Sequence, residues 1–231
     1  AVNLYPFVQT VSKPSVTLQD ALENIDIGGP TLIRASAKNF PAVIVLVDPA
    51  DYPHVIESLK SGSLSADERR RLAWKAFQHV AMYDTAIAQY LNPGEVFPAD
   101  LTLSLHRVSN LRYGENPHQQ AAFYEEKSVG SKPRSLATIK QMHGPELSFN
   151  NLMDLDAAAS VVCDFEGPAV SVIKHTNPCG LSTNADLPEA YRRALSGDPL
   201  AAFGGIIGVN RPVTIELATE IAKNHYDAMI A

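Results

Sequence analysis

Residues Ala169–Gly180 read AVSVIKHTNPCG, an apolar run that stops at Lys174, His175, Thr176 and Asn177 before Pro178, Cys179 and Gly180. Val170, Val172 and Ile173 suit a buried strand, and in α/β folds ligands gather at the carboxyl ends of such strands, where the backbone turns beside a crevice. A lysine and a histidine at that point can share proton transfer near neutral pH. Histidine titrates there unperturbed, and a desolvated lysine is shifted down towards the same range. The alternative is a solvated turn at Pro-Cys-Gly with a hydrogen-bonded histidine that merely caps the strand.

Around this stretch the patterns alternate. Helix-like Asn151–Phe165, strand-like Ala169–Ile173, helix-like Pro188–Leu195 and strand-like Gly205–Val209 follow one another as in an α/β layer fold. Nearer the amino terminus, Ala42–Val47 (AVIVLV) lies between Pro41 and Pro49 and predicts a buried parallel strand flanked by helices. A helical pattern then runs from Ala66 to Leu91, with Leu72, Lys75, Ala76, His79, Tyr83 and Ile87 at helical spacings, until Asn92-Pro93-Gly94 breaks it. The expected organisation is a first domain over 1–91, a linker over 92–104 and a second domain over 105–231. There is no internal repeat and no low-complexity tract.

Composition narrows the function classes. At 231 residues with 45% apolar content the chain can bury a real core, and a net charge of −6 without a basic cluster speaks against nucleic acid as a partner. An anionic ligand would need local cations. The two cysteines, Cys163 and Cys179, make no disulfide framework; Cys163 reads as a small apolar residue in a buried helix. No stretch is long and apolar enough to cross a bilayer, and no signal-peptide pattern opens the chain, so a cytosolic protein is expected. Both ends break off beside apolar runs without caps, which reads as a part of a longer chain.

Three further segments are rich in site-type residues. Asn110–Gln120 (NLRYGENPHQQ) packs an arginine, a tyrosine, a glutamate and a histidine into one loop. Ser148–Asp156 (SFNNLMDLD) sets two asparagines at a helix start, where they can serve as caps. Asp198–Gly208 (DPLAAFGGIIG) puts Phe203 before two glycines that would admit a flat ligand close to the backbone, or simply a tight strand entry. His118 is expected to fix its own turn by a backbone bond, and His79, His106, His143 and His225 show no ligand spacing.

In this order, RYGENPHQ, LSFNN, KHTNPCG and AFGGIIG resemble the transformylase half of a family of bifunctional purine-biosynthesis enzymes, those joining aminoimidazole-carboxamide ribonucleotide (AICAR) formyltransferase to inosine monophosphate (IMP) cyclohydrolase. VNLYPF at Val2–Phe7 and IDIGGPTLIRASAKN at Ile25–Asn39 resemble the cyclohydrolase half. The resemblance implies an α/β chain of two partial domains, a methylglyoxal-synthase-like three-layer domain followed by a cytidine-deaminase-like one. It implies formyl transfer from 10-formyltetrahydrofolate to AICAR, then dehydrative ring closure of the formylated nucleotide (FAICAR) to IMP, in a homodimer and with no metal.

By the same resemblance, Asn3 and Tyr5 lie at the base and formyl end of the cyclohydrolase pocket, with Asp26, Gly28 and Lys38 around the reacting amide. A weakly nucleophilic amide needs a proton relay and fixed donors for the developing oxyanion, which a carboxylate, a lysine and a tyrosine can supply. Asp26 can equally be a turn residue before Gly28-Gly29, and Lys38 a surface lysine. In the second half the resemblance gives Lys174 and His175 the proton transfers and charge stabilisation, in an order the residues leave open. Arg112 and Tyr113 would hold the nucleotide, Asn151 would bind nucleotide or formyl group, Phe203 and Gly204 would form a flat wall, and Asp227 would contact the nucleotide.

Two rivals fail on chemistry. A zinc deaminase needs His-x-Glu and Pro-Cys-x-x-Cys, but Asn177 stands in place of the glutamate and Ser182 in place of the second cysteine. A Cys179–His175 nucleophile pair lacks a helix amino terminus to lower the thiol pKa. The non-catalytic alternative is a chain that binds purine nucleotide, or dimerises, without turnover.

Overall fold

Val170 and Val172 alternate with Ser171 and Ile173 along a strand buried on both sides, and this alternation organises the carboxyl-terminal half around one sheet. The computed structural model describes residues 1–62, 64–126 and 135–231. Among these, Ala1–His106 with Glu125 and Glu126 form one compact unit, and Arg107–Tyr124 with residues 135–231 form another.

The first unit is helical: α1 (Phe7–Val11), α2 (Leu18–Glu23), α3 (Gly28–Lys38), α4 (Tyr52–Lys60) and α5 (Ala66–Leu91). The 26-residue α5 starts at a reciprocal cap in which Ser65 and Glu68 satisfy each other's backbone N–H groups, and it ends where Pro93 follows Asn92. Its buried stripe of Leu72, Ala73, Ala76, Val80, Tyr83 and Ala86 carries the unit's core. Ile33 and Ala37 of α3, with Val45 and Val47, pack on one length of it, and Phe7, Val11 and Ala21 on the next.

Ala42–Val47 is not a strand. Val45 and Val47 are buried, with the residues between and before them only partly so, but a segment becomes a strand only through a ladder, and here the Val2 N–H donates to Leu46 O at 2.9 Å. Among the described residues, no strand precedes β1 (Leu105–Asn110), which forms a two-stranded ribbon with β2 (Ala122–Glu126).

The second unit continues with α6 (Phe149–Cys163), β3 (Ala169–Lys174), β4 (Asn177–Thr183), α7 (Leu187–Leu195), β5 (Gly205–Val209), α8 (Ile215–Ile221) and β6 (Tyr226–Ile230). The sheet order is β4-β3-β5-β6. It is mixed: β3 runs antiparallel to both β4 and β5, whereas β5 and β6 are parallel. Ile173 and Ile206 face Leu152, Leu155 and Ala158 of α6, while Val170, Val172, Ile207 and Val209 face Tyr191 and Ala194 of α7 and Leu217 of α8. The result is a sheet between two helical layers, as the alternating pattern predicts for this half.

Close approach explains two glycines. A Cβ on Gly180 would sit 1.8 Å from Ala194 O of α7, and one on Gly208 would sit 2.5 Å from Ala158 O of α6. Asn210 closes the far end of the layer: its Nδ2 donates to the carbonyls of Val162, Phe165 and Gly167, and its Oδ1 accepts from Ala169 N–H. Cys163 corrects its expectation, since as the last residue of α6 it is exposed rather than buried.

Candidate functional site

The carboxyl end of β3 turns sooner than the sequence suggests. Lys174 pairs with Asn177, so His175 and Thr176 are the two central residues of a hairpin, and Pro178, Cys179 and Gly180 belong to β4 instead of a turn. Pro178 is admissible there because β4 is an edge strand and the pairing shifts register beside it. His175 and Thr176 have φ of 54° and 61°, the left-handed pair that a type I′ two-residue turn demands. Glycine or asparagine normally fills such positions. A β-branched threonine there is strained, by about 1–3 kcal/mol for a residue of this kind.

The strain is held from α6. Asp154 Oδ2 accepts the His175 N–H at 3.3 Å, and Asp154 Oδ1 accepts the Thr176 N–H at 2.7 Å. Within the turn, Thr176 Oγ1 and Asn177 Nδ2 both donate to His175 O, at 2.7 and 2.8 Å. The His175 imidazole is thereby presented outward on an exposed turn.

Lys174 points to the neighbouring strands. Its Nζ donates to Phe203 O at 2.6 Å. Phe203, 67% exposed, places its ring 5.2 Å from the His225 ring, and His225 Nε2 is 3.7 Å from Asp227 Oδ1. Gly204 has φ of +69° and open space where a Cβ would stand, and its N–H donates to His225 O at 2.9 Å. Gly205 serves packing, because a Cβ there would meet Ile173 O at 2.7 Å. Lys174, Phe203, Gly204 and Asp227 are therefore brought together. They meet where the carboxyl end of β3 faces the amino ends of β5 and β6, so the crevice rule for parallel strands is not what gathers them.

A second group gathers at the start of α6. Asn151 is the third helical residue and its Oδ1 accepts from Ser148 N and Oγ at 3.0 and 2.9 Å, which leaves its amide N–H₂ to donate elsewhere. The RYGENP loop is strapped to this start: Arg112 N–H donates to Leu147 O, Tyr113 O accepts from Phe149 N–H, and Asn150 Nδ2 donates to Glu115 O. The Arg112 guanidinium stacks 4.9 Å from the Tyr113 ring centre and donates to its hydroxyl. His118 does not fix the loop. Gln119 does, through Asn116 N–H to its Oε1 and Gly114 N–H to its carbonyl.

In the first unit, Asp26 is a turn residue at the start of α3. Its Oδ1 accepts the Gly29 N–H at 2.6 Å, and its own N–H donates to the Tyr83 hydroxyl, which donates in turn to Asn24 O. Leu4 lies against Gly29, so Asn3 and Tyr5 flank this turn, Tyr5 being 55% exposed and Asn3 accepting a long bond from the Tyr52 hydroxyl. Gly28 is exposed with open space beside it. Lys38 lies at the other end of α3, roughly 15 Å from Gly28 at about 1.5 Å of rise per residue. Asp26 and Lys38 are thus not brought into direct contact. A shallow hollow of about 340 Å³ includes Asp26, Ile27, Pro30 and Asp84 in its walls.

Asp154 is absent from the sequence reading, and His225 is set aside there for want of ligand spacing. Asp154 follows Asn151 by three residues on one helix, the spacing that places two side chains on one face, and that signal was available. His225 becomes visible only once β6 pairs with β5. Cys179 is an unsuited nucleophile, because burial raises its thiol pKa, with Asp198 adding to the effect. Its thiolate should appear only above the usual range. An alkylating reagent should label exposed Cys163 several-fold faster than Cys179 across pH 7–9, read by peptide mass spectrometry; equal rates would contradict this environment. Among the described residues no group of three His, Cys, Asp or Glu side chains is arranged to hold a metal, and no helix is long and apolar enough to cross a membrane.

The sequence model of the AICARFT/IMPCHase bienzyme family matches residues 36–231. The chain belongs to that family. Two relatives, each named bifunctional purine biosynthesis protein PurH, align along the whole chain: that of Lysinibacillus sphaericus at 51% identity over 231 residues and that of Halalkalibacterium halodurans at 49% over 233 residues. The chain spans 45% of the length of each of these two relatives.

Proposed function

We propose that the protein to which this chain belongs carries out the last two steps of IMP synthesis, formyl transfer to AICAR and ring closure of FAICAR. The supporting observation is the convergence of Lys174, Phe203, Gly204 and Asp227 at one end of the sheet, beside the exposed His175 turn, in a member of a bienzyme family. The weakly nucleophilic 5-amino group of AICAR must lose a proton as it attacks the formyl carbon of 10-formyltetrahydrofolate, and the folate nitrogen must gain one. His175 and Lys174 are the adjacent groups able to carry these protons. Phe203 and Gly204 offer a flat, uncrowded wall to the base. Arg112, Tyr113 and Asn151 supply donors for phosphate and carboxamide oxygens, and Asp227 accepts from the nucleotide.

For ring closure, the assigned residues are Asn3, Tyr5, Asp26, Gly28 and Lys38. Because Asp26 and Lys38 sit at opposite ends of α3, each acts on the substrate independently, not as a contacting pair. The domains follow: residues 1–91 form the later part of a methylglyoxal-synthase-like α/β domain, 92–104 a linker, and 105–231 the earlier part of a cytidine-deaminase-like domain. The buried, extended Val45–Val47 supports the first, and the layered mixed sheet the second. The enzyme is a cytosolic homodimer that uses folate as co-substrate and no metal.

The test is to supply full-length protein with AICAR and 10-formyltetrahydrofolate and to follow FAICAR and IMP separately. Formation of FAICAR and then IMP, faster than an enzyme-free control, supports both assignments. Nucleotide binding without either product would leave only the binding function.

A further inference from the structure

We infer that Asp154 is a positioning residue for formyl transfer: from α6 it clamps the left-handed His175–Thr176 turn and so fixes the direction of the His175 imidazole. The inference rests on the proposed transferase function. Both carboxylate oxygens are engaged with backbone N–H groups, one each from His175 and Thr176, so the side chain acts on the turn and not on a substrate. A two-residue hairpin of this class asks for positive φ at both central positions, and the β-branched Thr176 disfavours it. The hairpin register alone does not select the conformation. The Asp154 carboxylate, carried on α6 and accepting both amides, holds the turn in its left-handed arrangement.

Asp154 also links the two halves of the site. It lies one turn beyond Asn151, whose carbonyl oxygen is fixed by Ser148. One face of α6 therefore positions the asparagine beside Arg112 and Tyr113 and, three residues on, the turn that bears His175. A rotation or slip of α6 would move both together.

The experiment uses the full-length enzyme with Asp154→Ala, Asp154→Asn, and the double variant Asp154→Ala/Thr176→Gly. Asp154→Ala should lower kcat for formyl transfer roughly tenfold to a hundredfold, the scale of a misplaced catalytic group, and leave the KM for AICAR within about threefold. Asp154→Asn, which keeps one acceptor oxygen, should fall between. Thr176→Gly relieves the β-branched residue at positive φ, so the double variant should regain at least about fivefold over Asp154→Ala. Ring closure, measured on FAICAR, should be unchanged in all three and reports a folded chain. An unchanged kcat in Asp154→Ala, or a loss that Thr176→Gly does not relieve, overturns the positioning role while the transferase function stands. If the unsubstituted enzyme transfers no formyl group, the functional assignment itself falls.

Discussion

Full-length enzyme carrying Lys174→Ala or His175→Ala should lose formyl transfer by at least about a hundredfold while ring closure continues at its normal rate. The magnitude is that of a general acid or base removed from a reaction whose nucleophile is a weak aromatic amine. The structure separates two contributions that the sequence runs together. Lys174 ends β3 and is anchored on Phe203 O, so its loss also frees the carbonyl beside the aromatic wall. His175 stands on the turn with its ring unencumbered, so its loss removes the imidazole and leaves the wall intact. Lys174→Ala should therefore raise the KM for AICAR as well as lowering kcat, whereas His175→Ala should act mainly on kcat. Steady-state assays of both activities on one preparation check this, and near-normal transfer in both variants would remove the assignment.

The second large effect concerns the first unit. Lys38→Ala should slow ring closure by about a hundredfold, so that FAICAR accumulates while 10-formyltetrahydrofolate is still consumed. Lys38 lies in the last turn of α3, exposed, and the substitution to alanine favours the helix, so loss of activity would not be loss of fold. Asp26→Ala is the informative contrast. It removes the acceptor of the Gly29 N–H at the start of α3 and should cost about 1 kcal/mol of stability in addition to activity. Time courses of FAICAR and IMP, corrected for spontaneous closure, and thermal unfolding of each variant give the two readouts. If Lys38→Ala abolished transfer and left ring closure intact, the two sites would have to be exchanged.

How much of this was legible beforehand depended on the range of the interaction. The helix Ala66–Leu91 and the strand Gly205–Val209 follow from periodicity and from local stop signals, which lie within a few residues of the elements they define. Ala42–Val47 shows the limit of the same reasoning. Its apolar run predicted burial, which Val45 and Val47 show, but strand formation is a property of a pair of segments, and the sequence of one says nothing of its partner. Cys163 failed for a related reason: helix membership was readable, the side of the last turn was not.

The site divides in the same way. The residue types at Lys174, His175, Phe203 and Gly204 were readable because their chemistry and order along the chain carry the family pattern. The sequence by itself thus determined the family and the alternation of helix and strand in the second half. Only the tertiary structure decided how those side chains face one another. The His175–Thr176 turn takes a backbone conformation that its threonine disfavours, held by a carboxylate 21 and 22 positions earlier. His225 reaches Phe203, with Asp227 beside it, because β6 lies parallel to β5, and Lys174 reaches Phe203 O because β3 lies antiparallel. Local propensity is a short-range energy of a few tenths of a kcal/mol to about 1 kcal/mol per residue, and a satisfied long-range hydrogen bond or a packed strand outweighs it.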